Sequence, residues 1–88
     1  MLRREATIVN RLGLHARASS RLTQTAGRFA CEVWISRGER RVNAKSIMGV
    51  MLLAAAQGAV LTIETDGKDE EDAMAALLEI IESGFGEE

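Results

Sequence analysis

The hydrophobic period of this chain switches between two and 3.6 several times within 88 residues, and no proline marks the breaks. That switching demands strands and helices in alternation. A period of two belongs to half-buried strands and a period near 3.6 to helices with one apolar face. Ala6-Thr7-Ile8-Val9 is a short β run that stops at the loop-like Asn10-Arg11-Leu12-Gly13. Ala18, Ser19, Leu22 and Ala26 then recur at helical spacing between Ala16 and Ala26, and Gly27 stands where a C′ glycine belongs. From Phe29 to Ile35 the pattern alternates, with Cys31, Val33 and Ile35 on one face and Glu32, Trp34 and Ser36 on the other.

Arg37-Gly38 makes a turn, and Val42 and Ala44 mark a second strand, so the pair reads as a hairpin. Ser46 caps a helix over Ile47–Ala56 that Gly49 interrupts and Gly58 ends. Val60–Thr65 is the last strand, Asp66-Gly67-Lys68 the next turn, and Asp69 an N-cap followed by Glu70, Glu71 and Asp72, favourable at a helix start. Ala73, Leu77, Ile80 and Ile81 form the buried stripe of that helix, which ends near Ser83-Gly84. The order β-α-β-β-α-β-α predicts an α+β fold: a four-stranded antiparallel sheet with three helices on one face. Residues 1–88 have the length of one domain.

Composition removes whole classes of function. Cys31 is the only cysteine, so the chain has neither an internal disulfide nor a cysteine-based zinc site, and a cytoplasmic location is expected. The apolar stretch near the N-terminus is too short for a signal h-region or a membrane span. Residues 1–45 carry ten cations against three acids, a net +7; residues 46–88 carry one cation against ten acids, a net −9. Such polarity suits a basic working face and an acidic solvated side, although ordinary solvated faces read the same way. Three aromatics and a net charge of −2 argue against nucleic acid.

His15, the only histidine, stands in Gly13-Leu14-His15-Ala16-Arg17, where the first loop meets the first helix. Free backbone N–H groups at such a junction bind anions, and Arg17 adds a forked donor suited to phosphate. Those donors would also stabilise a phosphoryl group carried by the ring. A surface histidine that merely caps a helix is the alternative reading from spacing alone.

Gly13-Leu14-His15-Ala16-Arg17 and Lys45-Ser46-Ile47-Met48-Gly49-Val50-Met51 together resemble the two signatures of the HPr family, the histidine-containing phosphocarriers of the bacterial phosphotransferase system. The resemblance spans nearly the whole chain. It implies an open-faced β-sandwich and a phosphoryl carrier that is a substrate of other enzymes and needs no metal or cofactor. By position, His15 is the phosphoryl acceptor through Nδ1, Arg17 its phosphate partner and Ser46 the regulatory serine in hosts with HPr kinase/phosphorylase. Ile47, Met48 and Met51 form the apolar patch that docks enzyme I, enzyme IIA domains and the kinase. A basic rim from Arg17, Arg21 and Lys45 is expected beside it. The expected working form is a monomer. Ala18 replaces the family's usual proline, and the loop 10–13 and segment 83–88 resemble the nitrogen-type branch. A regulatory module of a nitrogen-type or incomplete system without sugar transport is therefore the alternative function. A regulatory paralogue lacks the histidine, and His15 sets this chain apart from it.

Overall fold

The computed structural model describes residues 1–87; Glu88, the last residue of the segment compared with the nitrogen-type branch, lies outside them. The elements run β1 (Leu2–Thr7), α1 (Ala16–Gly27), β2 (Glu32–Arg37), β3 (Arg40–Asn43), α2 (Ile47–Leu52), β4 (Val60–Asp66) and α3 (Glu70–Glu82), followed by a short 3-10 turn at Gly84–Gly86. The expected α+β order and antiparallel four-stranded sheet are borne out, with strands arranged β1-β4-β2-β3.

Alternation explains the sheet's two faces. Ala6, Val33, Ile35, Leu61, Ile63 and Thr65 point under the helices and are buried, whereas Glu5, Glu32, Trp34, Arg41 and Thr62 are exposed or half-buried on the other face. There Arg41 stacks its guanidinium 4.2 Å from the centroid of Trp34 and pairs with Glu64 at 2.9 Å. On the covered face α3 packs against β1 and β4, and α1 packs between α3 and α2. Leu22, Val50, Leu77 and Ile81 are among the helical contributions to the core, each burial stabilising by about 2 kcal/mol.

Several boundaries differ from the sequence pattern, each for a tertiary reason. β1 begins four residues early because its ladder with β4 runs from Leu2↔Thr65 to Thr7↔Val60. Ile8 and Val9 lie beyond it, with Ile8 bonded to Gly58 and Ala59 outside the regular strand. Gly27 is the last helical residue of α1, and Arg28 takes the cap. The hairpin turn is Gly38-Glu39, between the paired Arg37 and Arg40, and β3 ends at Asn43. Ile80 is only partly buried on α3, and Met74 takes a core position.

α2 stops at Leu52, short of Ala56. Helix ends leave carbonyls without partners. Here Arg40 donates to Leu52 O at 2.6 Å and Arg37 to Leu53 O at 2.9 Å, so the hairpin's cations satisfy them. Ala54 then turns the chain through φ +50°.

Phe85 is the largest buried side chain, although nothing in its Gly-Phe-Gly context marks it as core. Its backbone holds φ +59°, a left-handed conformation that costs a residue with a β-carbon about 1–2 kcal/mol. Burying the ring offsets that cost and pins the segment after α3 across the start of α1.

Candidate functional site

The loop 10–14 is fixed before α1 begins. Leu14 N donates to Ala55 O at 2.8 Å, docking the loop on the chain that leaves α2. Gly13 makes that approach possible: its φ is +66°, and a β-carbon there would stand 2.5 Å from Ala55 O. On the helix side, Ser19 N donates to His15 O and Ser19 Oγ to Leu14 O, which clamps the first turn.

His15 is the N-cap of α1, with extended backbone (φ −76°, ψ −179°), and no side chain caps this end. Among the described residues, the N–H groups of Ala16, Arg17 and Ala18 thus have no side-chain acceptor. The ring is about 28% exposed and lines an open cleft with Arg11, Leu12, Ala16, Arg17 and Glu87. Arg17 is exposed, and among the described residues no acid pairs with it. Two arginines, a helix N-terminus and the Glu87 carboxylate thus share one cleft with the imidazole, and the first two kinds of group favour a bound oxyanion.

Glu87 enters this cleft from the far end of the chain. Its Oε2 lies 2.5 Å from His15 Nε2, and its Oε1 accepts from Asn10 Nδ2 at 3.0 Å. Burial alone would push this carboxyl up, but the hydrogen bonds from Asn10 and His15, with the charges of His15 and Arg21, hold it below the usual carboxylate range. No spacing rule could have joined it to a histidine 72 residues earlier. Arg11 and Leu12 were legible as a basic-apolar pair in a loop beside His15, yet only their position around the cleft gives them a site.

Ser46 lies outside that cleft, at the N-cap of α2, where its Oγ accepts from Gly49 N at 3.2 Å. It is exposed, as are Ile47 at 39%, Met48 at 74% and Met51 at 44%. Leu52 (61%) extends this apolar surface, and Leu12 (63%) stands beside His15. α1 and α2 pack together, but no residue of α2 lines the His15 cleft. Two cations expected to rim the patch are engaged elsewhere: Arg21 donates to the Phe85 carbonyl, and Lys45 Nζ to Phe29 O at 2.7 Å.

A family profile described as "PTS HPr component phosphorylation site" matches residues 2–83, a span that contains both His15 and Ser46. The chain belongs to the HPr family. It is 61% identical over 87 residues to the phosphocarrier protein HPr of Cupriavidus necator, an alignment covering 99% of this chain and 98% of that one. The solved HPr-C-His of Thermoanaerobacter tengcongensis superimposes with a TM-score of 0.96 at 45% identity, covering 100% and 99% of the two chains. An HPr dimer from the same organism matches with a TM-score of 0.80 at 48% identity, over 91% and 92%. This HPr-family chain thus has the fold of phosphocarriers, and among its described residues no helix is long and apolar enough to cross a membrane.

Proposed function

We propose that this chain is a single phosphocarrier domain of the phosphoenolpyruvate-dependent phosphotransferase system, taking a phosphoryl group from enzyme I on His15 and passing it to IIA-type proteins in the cytoplasm. The observation that carries the reading is the imidazole at the uncapped start of α1, in one cleft with Arg11 and Arg17. The ring supplies the nucleophile. The helix N–H groups and Arg17 stabilise the oxyanions as charge shifts during transfer. The chain acts as a substrate of its partners and supplies no general base of its own.

Ile47, Met48 and Met51 supply the apolar centre of the docking surface, with Leu12 and Leu52 extending it. A shuttle that alternates partners needs that surface free, which favours the monomer as the working form; a stable dimer at micromolar concentration in sedimentation equilibrium would overturn this. Ser46, exposed beside Ile47, is the regulatory serine where the host has HPr kinase/phosphorylase. The deciding experiment incubates the protein with phosphoenolpyruvate and enzyme I and reads the intact mass. A gain of one phosphoryl group, acid-labile and lost in His15→Ala, is expected. Phosphorylation that persists in His15→Ala with Ser46 also removed would exclude His15.

A further inference from the structure

Glu87 is held too firmly to be an incidental tail contact. The segment that carries it is anchored by the buried ring of Phe85 and by the Arg21 guanidinium on the Phe85 carbonyl, with Gly84 buried beside them. Phe85 keeps its left-handed backbone, which a loose segment would relax. Asn10, 4% exposed, braces the carboxylate from below: its Nδ2 donates both to Glu87 Oε1 and, at 2.8 Å, to the carbonyl of Gly13 in the loop that sets His15. The result is a chain of contacts, Gly13–Asn10–Glu87–His15, ending on one ring nitrogen. An ionised carboxylate only accepts hydrogen bonds, so the nitrogen facing it carries the proton.

We propose that Glu87 is a positioning residue for phosphoryl transfer: braced by Asn10, its carboxylate holds His15 in the Nε2–H tautomer, so that Nδ1 presents its lone pair to the incoming phosphorus. This rests on His15 being the acceptor. In the transfer step the Nδ1 lone pair forms the N–P bond, while the bond from phosphorus to the donor's leaving atom breaks and its electron pair returns to the donor. No proton leaves His15. The ring gains a positive charge as a phosphoimidazolium, and its Nε2–H continues to donate to Glu87, which stabilises that charge. Passing the group onward reverses the step and returns the neutral Nε2–H ring. Carboxylates that fix a histidine tautomer through its second nitrogen change function about 10-fold or more when removed from metal sites, and the same order is expected here.

The test compares wild type with Glu87→Ala and Glu87→Gln, neither of which removes a core side chain. The ring ¹⁵N shifts of His15 report the tautomer without any phosphoryl donor, and single-turnover transfer from phosphorylated enzyme I reports the rate. Wild type should show the Nε2–H form, both variants a mixture of tautomers, and Glu87→Ala a rate about 10-fold lower. Unchanged ring shifts, or an unchanged or faster rate in Glu87→Ala, would overturn the role. His15→Ala run alongside separates the two readings. Transfer surviving in it removes His15 as the acceptor, whereas its loss together with an unaffected Glu87→Ala removes only Glu87.

Discussion

Asp69 illustrates how one side chain changes task between local and tertiary context. It occupies the N-cap position of α3 but makes no capping bond with its side chain. Its two oxygens instead accept from Ala30 N at 2.8 Å and Cys31 N at 2.9 Å, tying the entry to β2 to the start of α3. The Ala30 N–H is the main reason its carboxyl lies below the usual carboxylate range, with the Cys31 bonds adding to it against a smaller desolvation effect. A depressed folded pKa means that the stabilisation is present above the ordinary carboxylate value and lost as pH falls through the folded value. Asp69→Asn should therefore melt below wild type at pH 7, and the difference should narrow in melts taken progressively down to pH 3. Next to it, burial and the neighbouring Asp69 push the Cys31 thiol up, so this cysteine behaves as a small core hydrophobe. At the site, Arg17→Ala should slow phosphoryl transfer from enzyme I without abolishing it, because the α1 N–H groups and Arg11 still face the group. Complete loss in a stopped-flow or quench assay would give Arg17 a larger share than this geometry assigns it.

α2 is the element where sequence pattern and surroundings contend most. It is six residues long, capped at one end by its own Ser46 and at the other by arginines of the β2–β3 hairpin. So short a helix cannot persist by propensity and depends on Val50 in the core and on those end contacts. Its remaining apolar side chains face solvent, which suits a surface that meets partners. Phosphorylating Ser46 adds roughly −1.5 to −2 charges beside Ile47 without removing any core contact. Ser46→Asp should melt at or above wild type yet accept phosphoryl from enzyme I much more slowly, whereas Ser46→Ala should lose about 1 kcal/mol of stability and keep its rate. Equal transfer rates in the two variants would leave Ser46 as a helix cap alone.

For the whole molecule, the charge division acquires a geometry. Arg11 and Arg17 surround the His15 cleft, while Glu70, Glu71 and Asp72 occupy the first turn of α3. If the proposed partners meet the cleft side with acidic groups around an apolar centre, association with this chain should weaken as salt rises from about 50 to 500 mM, since exposed charges are screened over a Debye length. Binding measured by titration calorimetry that is insensitive to salt would assign the affinity to the apolar patch instead. The segment after α3 couples stability to the site at this scale as well. Phe85→Ala should cost about 3–5 kcal/mol in urea unfolding, the range for emptying a buried phenylalanine site, and should also release Glu87 from His15. A loss below about 1 kcal/mol would mean that the ring contributes little to the core.

Features that rest on neighbours along the chain follow from local pattern. The alternating burial of Cys31, Val33 and Ile35, the Ser46 cap and the helix start at His15–Arg17 are local patterns that the fold keeps, as is the α3 stripe of Ala73, Leu77 and Ile81, with Ile80 left half-buried at its edge. The HPr signatures are likewise short local strings. Tertiary structure decided the rest because the forces involved act between residues far apart in sequence. The ladder with β4 set where β1 begins, and the hairpin arginines occupied the carbonyls where α2 ends. Asp69 left its own helix to serve the backbone of Ala30 and Cys31. Glu87 reached His15 because Phe85 found room in the core, and a Gly-Phe-Gly string carries no periodicity from which that burial could be read.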